Sequence, residues 1–203
     1  MMPPMLRKVC AAAAVWILPA KCTRSSPPPT AEKAPVDAEK CEVEGVLNLY
    51  RVSHELYRSG QPTPQGFSNL WELGVRSILN MREYHKDRRK ARHTDLQLLE
   101  YPVAAGEVKE EDVENCLRMM CTAPKPVVVH CWHGSDRTGI IVAAWRIIYE
   151  NWTVAQAEAE FRMEIYGHHD FWYGNLVKLL RETDWAAMRA RLLSYAESLP
   201  VIA

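Results

Sequence analysis

Cys131 and Arg137 stand six positions apart in the segment His130-Cys131-Trp132-His133-Gly134-Ser135-Asp136-Arg137-Thr138-Gly139. A thiol and a guanidinium at this spacing suit a single bound anion. A loop that closes onto a helix N-terminus turns a ring of backbone N–H groups toward one point, and such a ring binds anions. Arg137 adds a planar fork that holds two phosphate oxygens at once. Gly134 permits the backbone angles of a tight loop. At the base of this positive nest Cys131 is favoured as the thiolate. A thiolate aimed at the phosphorus of a bound monoester is a nucleophile that needs neither metal nor cofactor. Trp132 and His133 are candidates for the pocket mouth, where an aromatic wall suits an aromatic ester. Gly134, Ser135 and Gly139 complete the candidate substrate-binding set. The competing reading is a buried, inert cysteine beside a surface arginine.

Such a loop needs a buried strand before it and a helix after it. Pro126 introduces Val127-Val128-Val129, a β-branched run typical of a central strand, and 139–149 is apolar and helical. Upstream, 46–50, 55–58, 75–81 and 96–103 have the apolar content of strands. A helix fits 65–73, closed by Gly74, and another fits 110–121 with acidic residues in its first turn. Thr153 and Gln156 form a capping box for a helix over 154–166, and 171–199 is helical. Alternating elements first and helices last predict an α/β fold, a small central mostly parallel sheet flanked by helices.

The 203 residues balance 25 basic against 25 acidic side chains, with 48% hydrophobic and 25% charged. This composition supports a real core and argues against a general nucleic-acid binder. Three of the bases and none of the acids lie in 1–22, where Arg7 and Lys8 precede the apolar run 9–18. The run is too short to span a bilayer and is predicted to be a secretory signal, so the chain is expected to be exported, to the periplasm. Cleavage after Ala20 and lipid attachment at Cys22 are the two processing routes, and membrane contact follows only from the second; Lys21 disfavours it. A buried N-terminal helix is the alternative to a signal. Residues 23–42 are Pro-rich linker, and 43–199 the catalytic domain. None of the six cysteines makes a Cys-x-x-Cys pair, which argues against a zinc ribbon. Cys116 and Cys121 are expected as small apolar helix residues.

The segment 130–139 resembles the signature of the cysteine-dependent protein tyrosine and dual-specificity phosphatases. Asn48-Leu49-Tyr50-Arg51-Val52, Leu56-Tyr57-Arg58-Ser59-Gly60-Gln61-Pro62-Thr63 and Gly74-Val75-Arg76-Ser77-Ile78-Leu79-Asn80-Met81-Arg82 extend the resemblance to a bacterial branch of exported dual-specificity phosphatases. It implies the dual-specificity phosphatase fold and a phosphocysteine intermediate on Cys131, hydrolysed by water. By the same resemblance Arg137 clamps the phosphoryl oxygens and Thr138 assists departure of the sulfur. His130 then orients the loop and favours the thiolate. The implied partner is a phosphotyrosyl protein, such as a membrane signalling protein.

The family places an aspartate in a mobile loop upstream of the nucleophile. Here that neighbourhood, 99–107, holds no Asp. Asp136 inside the loop and Glu107 after Gly106 are the candidate general acids, with Asp112 a weaker third. Asp136 has a competing role in positioning loop amides or pairing with a nearby base, and Glu107 in favouring a helix entry. A poorly placed acid penalises an alkoxide more than a phenolate, so an aryl-phosphate preference is expected over phosphoserine and phosphothreonine. The run 82–95 is rich in Arg and Lys; it is a solvated face or a recruitment surface for an acidic phosphoprotein or phosphoinositide. His168-His169-Asp170 invites a metal reading, but adjacent histidines suit a tetrahedral site poorly. Two further functions compete with a protein phosphatase. A phosphoinositide or inositol-phosphate phosphatase is disfavoured because 132–136 hold no Lys or Arg; a phospho-binding pseudophosphatase is disfavoured because Cys131 and Arg137 are both intact. A sulfurtransferase also uses a Cys-led loop, but the Arg-Thr-Gly ending favours phosphate.

Overall fold

The computed structural model describes residues 37–199. The signal segment, Cys22 and most of the Pro-rich linker lie outside the described residues. The strands are β1 (Glu39–Lys40), β2 (Tyr50–Arg51), β3 (Leu56–Ser59), β4 (Ser77–Asn80), β5 (Gln97–Glu100) and β6 (Val127–His130). The helices are α1 (Pro64–Glu72), α2 (Glu110–Thr122), α3 (Asp136–Glu150), α4 (Val154–Phe161), α5 (Asp170–Glu182) and α6 (Trp185–Ser198). They form one six-stranded sheet in the order β1-β2-β3-β6-β4-β5. The pairs β1–β2 and β2–β3 are antiparallel, and β3, β6, β4 and β5 run parallel.

The β-branched run makes β6 the central strand because both of its faces are covered. Val128 and Ile78 point to one side, where Phe67 and Leu70 of α1 meet them. Val127, Val129 and Leu79 point to the other, into the core shared with α2, α3, α4, α5 and α6. The helix α3 is buried almost all round, and so takes the middle of that helical layer. The loop 131–135 therefore leaves the C-terminal end of the central parallel strand and enters a buried helix. In open parallel sheets that edge is where ligands bind.

Four predicted boundaries differ from the structure. The stretch 46–50 is not a strand: Gly45 (φ 79°) and Asn48 (φ 54°) turn the chain, leaving only Tyr50 and Arg51 to pair. Asn tolerates this left-handed backbone, and its Nδ2 donates to the His133 carbonyl at 2.9 Å. The sheet begins at Glu39, inside the stretch assigned to the linker; Arg51 pairs with Glu39 across β1 and β2. The helix over 154–166 stops at Phe161, and the 3-10 turn Glu164–Tyr166 follows, closed by Gly167 at φ 70°. The strand 96–103 ends at Glu100, ahead of a second 3-10 turn, Ala105–Glu107. The capping box of Thr153 with Gln156 and the Gly74 turn are as predicted.

Candidate active site

Cys131 is buried at the floor of a pocket of about 540 Å³. The loop above it passes through Gly134 at φ 80°, where a Cβ would stand 2.5 Å from the Ser59 carbonyl carbon. Only glycine lets the loop lie this close to the end of β3. Ser135 precedes α3 without capping it by its side chain. Among the described residues, no backbone N–H from Trp132 to Arg137 donates to a protein acceptor. Free amides that line a pocket are satisfied by water or by a bound anion. The loop is thus an anion cradle with the Cys131 sulfur beneath it.

Arg137 is fixed by one corner of its fork. Nη1 donates to the Met81 carbonyl at 3.2 Å and to the Val103 carbonyl at 3.0 Å, just past the ends of β4 and β5. Nε is buried with no partner among the described residues, which leaves the Nε–Nη2 edge for a bidentate anion contact. Thr138 is buried in the first turn of α3, its Oγ1 also without a partner. Gly139 packs against Phe161, whose ring a Cβ would meet at 2.4 Å.

Beneath the loop lie charges that sequence reasoning missed. His130 Nε2 stands 2.7 Å from Asp87 Oδ2, and its Nδ1 stands 3.1 Å from the Cys131 carbonyl. Burial pushes the Asp87 carboxyl up, but the His130 hydrogen bond and charge and the Gln61 amide outweigh it and hold it below the ordinary carboxylate range. Arg58 is fully buried; its Nη2 donates to the Gly134 carbonyl at 2.8 Å and its guanidinium lies 3.9 Å from the Tyr166 ring centre. Burial lowers Arg58 from its ordinary value, while Tyr166, Glu160 and Cys131 oppose that shift. Asp87 hid inside the basic run 82–95. Part of that run belongs to the interior: Arg82, Asp87 and Ala91 are buried.

The pocket wall is aromatic and basic. Trp132 is 52% exposed at the mouth, with the Arg82 guanidinium 4.1 Å from its ring centre. Tyr84, His133 and His169 also line the pocket, whereas Gly134, Ser135 and Gly139 are buried behind the loop. The three candidate acids are placed differently. Asp112 lies in the first turn of α2, its Oδ1 accepting from the Tyr101 hydroxyl at 2.8 Å and its Oδ2 from the Lys109 backbone N–H at 2.7 Å. Glu107 is exposed, and Ala105 rather than Glu107 lines the pocket. Asp136 is buried, with both oxygens engaged: Oδ1 accepts from His168 Nδ1 at 2.8 Å and from the His169 backbone N–H at 2.9 Å, and Oδ2 from His169 Nδ1 at 2.9 Å. Burial pushes this carboxyl up, but the bonds from His168 and His169 outweigh it and hold the group below its ordinary range. The adjacent histidines thus turn toward one carboxylate. Among the described residues no cluster of three or more metal-ligating side chains occurs.

The chain is similar in sequence and fold to known proteins. The dual specificity protein phosphatase TpbA of Pseudomonas aeruginosa is 32% identical over 130 residues, a match covering 63% of this chain and 59% of that protein. Its crystal structure superposes with a TM-score of 0.71 at 28% identity, covering 79% of this chain and 98% of that one; a second crystal structure holds pTyr. An inositol diphosphatase of Arabidopsis thaliana is 27% identical over 124 residues, covering 57% of this chain and 60% of that protein. The chain thus spans about six-tenths of the length of these curated relatives. The profile of the Tyrosine phosphatase family matches residues 45–169, which hold β2 to β6, the loop and the Asp136 partners, and to that family the chain belongs.

Proposed function

We propose that the chain is a metal-free phosphatase that hydrolyses phosphotyrosine in proteins through a phosphocysteine intermediate on Cys131. The observation that carries this reading is the set of unpartnered loop amides and the Arg137 Nε–Nη2 edge gathered over the Cys131 sulfur. In the first step the sulfur attacks phosphorus and the ester oxygen leaves; in the second, water attacks phosphorus and the sulfur leaves. The amides and Arg137 meet the charge that develops on the phosphoryl oxygens. Thr138 Oγ1 lies one residue beyond Arg137 and supports the departing sulfur. The aromatic wall of Tyr84, Trp132 and His133 supports a phenyl ester over an alkyl one. The relative named a dual specificity phosphatase and its pTyr complex support the same class. The basic start and apolar run of residues 7–18 support an exported, periplasmic site of action, with a membrane signalling protein as a fitting substrate.

Phosphate release from a phosphotyrosyl peptide and from an inositol diphosphate, with chelator present, tests this reading on the full chain and on Cys131→Ser. Turnover of the peptide by the parent, abolished in the variant, supports it. Turnover of the inositol ester alone replaces it with the inositol reading that the Arabidopsis relative favours. Peptide binding without turnover by either form leaves a phospho-binding module.

A further inference from the structure

Departure of a phenolate from phosphorus is assisted by a proton from a positioned acid. None of the candidate acids Glu107, Asp112 and Asp136 is placed to supply it, and Glu83, which lines the pocket, is exposed. Glu107 is exposed outside the pocket wall. Asp136 accepts hydrogen bonds on both oxygens from His168 and His169. A carboxylate in that setting is ionised and acceptor-only. The proton sits instead on its partner. His169 lines the pocket with Cys131 and Arg137, and its side chain is 43% exposed. Because Asp136 Oδ2 only accepts, the His169 Nδ1 at 2.9 Å must carry hydrogen. That leaves Nε2, on the opposite edge of the ring and without a protein hydrogen bond among the described residues.

We infer that His169 is the general acid of this site, oriented by Asp136 as its positioning residue; the inference rests on the thiolate-phosphatase reading. With His169 entering the step as the imidazolium, the Cys131 sulfur bonds to phosphorus, the P–O bond to the leaving group breaks with its electron pair staying on that oxygen, and the oxygen takes the Nε2 proton, leaving the neutral Nδ1–H ring. In the second step a water oxygen bonds to phosphorus, the S–P pair returns to sulfur, and the proton of the water passes to His169 Nε2. Phosphate leaves and the cycle closes with no outside reactant. Four groups face the ring. Asp136 on α3 stabilises the imidazolium, and the preceding His168 shares that carboxylate. His133 in the loop and Tyr173 on α5 stand with ring centres 5.6 Å and 6.3 Å away. The same carboxylate–imidazole contact ties the start of α5 to the start of α3, so the donor is held by two elements on either side of the pocket.

The test compares two esters on the full chain, His169→Gln, Asp136→Asn and Glu107→Gln. One is a phosphotyrosyl peptide, whose phenol has a pKa of about 10 and needs the proton. The other is 2,4-dinitrophenyl phosphate, whose acidic phenol leaves without it. H169Q is expected to lose roughly 100-fold in kcat/KM on the peptide and to retain nearly parental kcat/KM on the dinitrophenyl ester, since kcat/KM reports the leaving-group step alone. D136N should lose less, in the same ester-dependent pattern. Equal losses of H169Q on both esters, or no loss on either, overturn the inference. So does an ester-dependent loss in E107Q with H169Q unaffected. If the parent turns over neither ester, the phosphatase reading itself fails, and the proton donor with it.

Discussion

Asp87 and His130 form a buried pair at 2.7 Å, joining a charged surface-like segment to the residue that precedes the nucleophile. The second ring nitrogen of His130 faces the Cys131 carbonyl, so the carboxylate sets the ring and the ring sets the base of the loop. Removing one partner of a buried pair strands the other. Asp87→Asn is expected to cost about 3 kcal/mol or more of stability. Urea unfolding of the parent and variant checks this, and an unchanged midpoint would mean that the pair is structurally idle.

Two glycines set the loop in different ways. Gly134→Ala places a Cβ against the backbone of Ser59 and Gly60 with φ at +80°, where nothing can yield. We expect a loss above about 2 kcal/mol together with loss of activity. Gly139→Ala clashes with the Phe161 side chain and otherwise meets Arg58 Nη2 at an ordinary 3.7 Å. The double variant with Phe161→Leu should therefore be more stable than the sum of the two single losses. Strict additivity would count against this contact.

Thr138 separates stability from turnover. Its buried hydroxyl has no partner among the described residues, so Thr138→Val should leave stability unchanged or raise it by about 1 kcal/mol. If the hydroxyl bonds to the departing sulfur, the same variant loses roughly 10- to 100-fold in kcat, the equivalent of one hydrogen bond to a charged group. Parallel unfolding and steady-state measurements decide, and an unimpaired kcat removes Thr138 from the reaction.

Stability should depend on acid through two carboxyls. Asp87 and Asp136 are both held below their ordinary range in the folded chain. A depressed folded value contributes stability above the unfolded value, about 3.9 for Asp, and that contribution is lost as pH falls through the folded value. The urea midpoint should therefore drop below about pH 4. Asp136→Asn should show a shallower drop. A midpoint that stays level to about pH 3 would contradict this linkage.

By itself the sequence determined the α/β class, the strand–loop–helix at 127–150, and the placing of Cys131 and Arg137 at one pocket. Strand, loop and helix are contiguous there, so β-branched residues, Gly134 and the apolar run specify them locally. Caps such as Thr153 with Gln156 were legible for the same reason. Only the tertiary structure decided what surrounds the thiol. Asp87 reaches His130 across 43 positions, and His169 reaches Asp136 across 33. Neither has a local signal: Asp87 sits in a run that reads as solvated charge, and His168-His169 reads as a loop or a poor metal motif. Turn positions such as Asn48 escaped for a related reason, since its left-handed backbone is held by the His133 carbonyl, 85 positions away. Periodicity and capping act over a few residues, whereas a buried charge is placed by whichever segments the sheet order brings beside it.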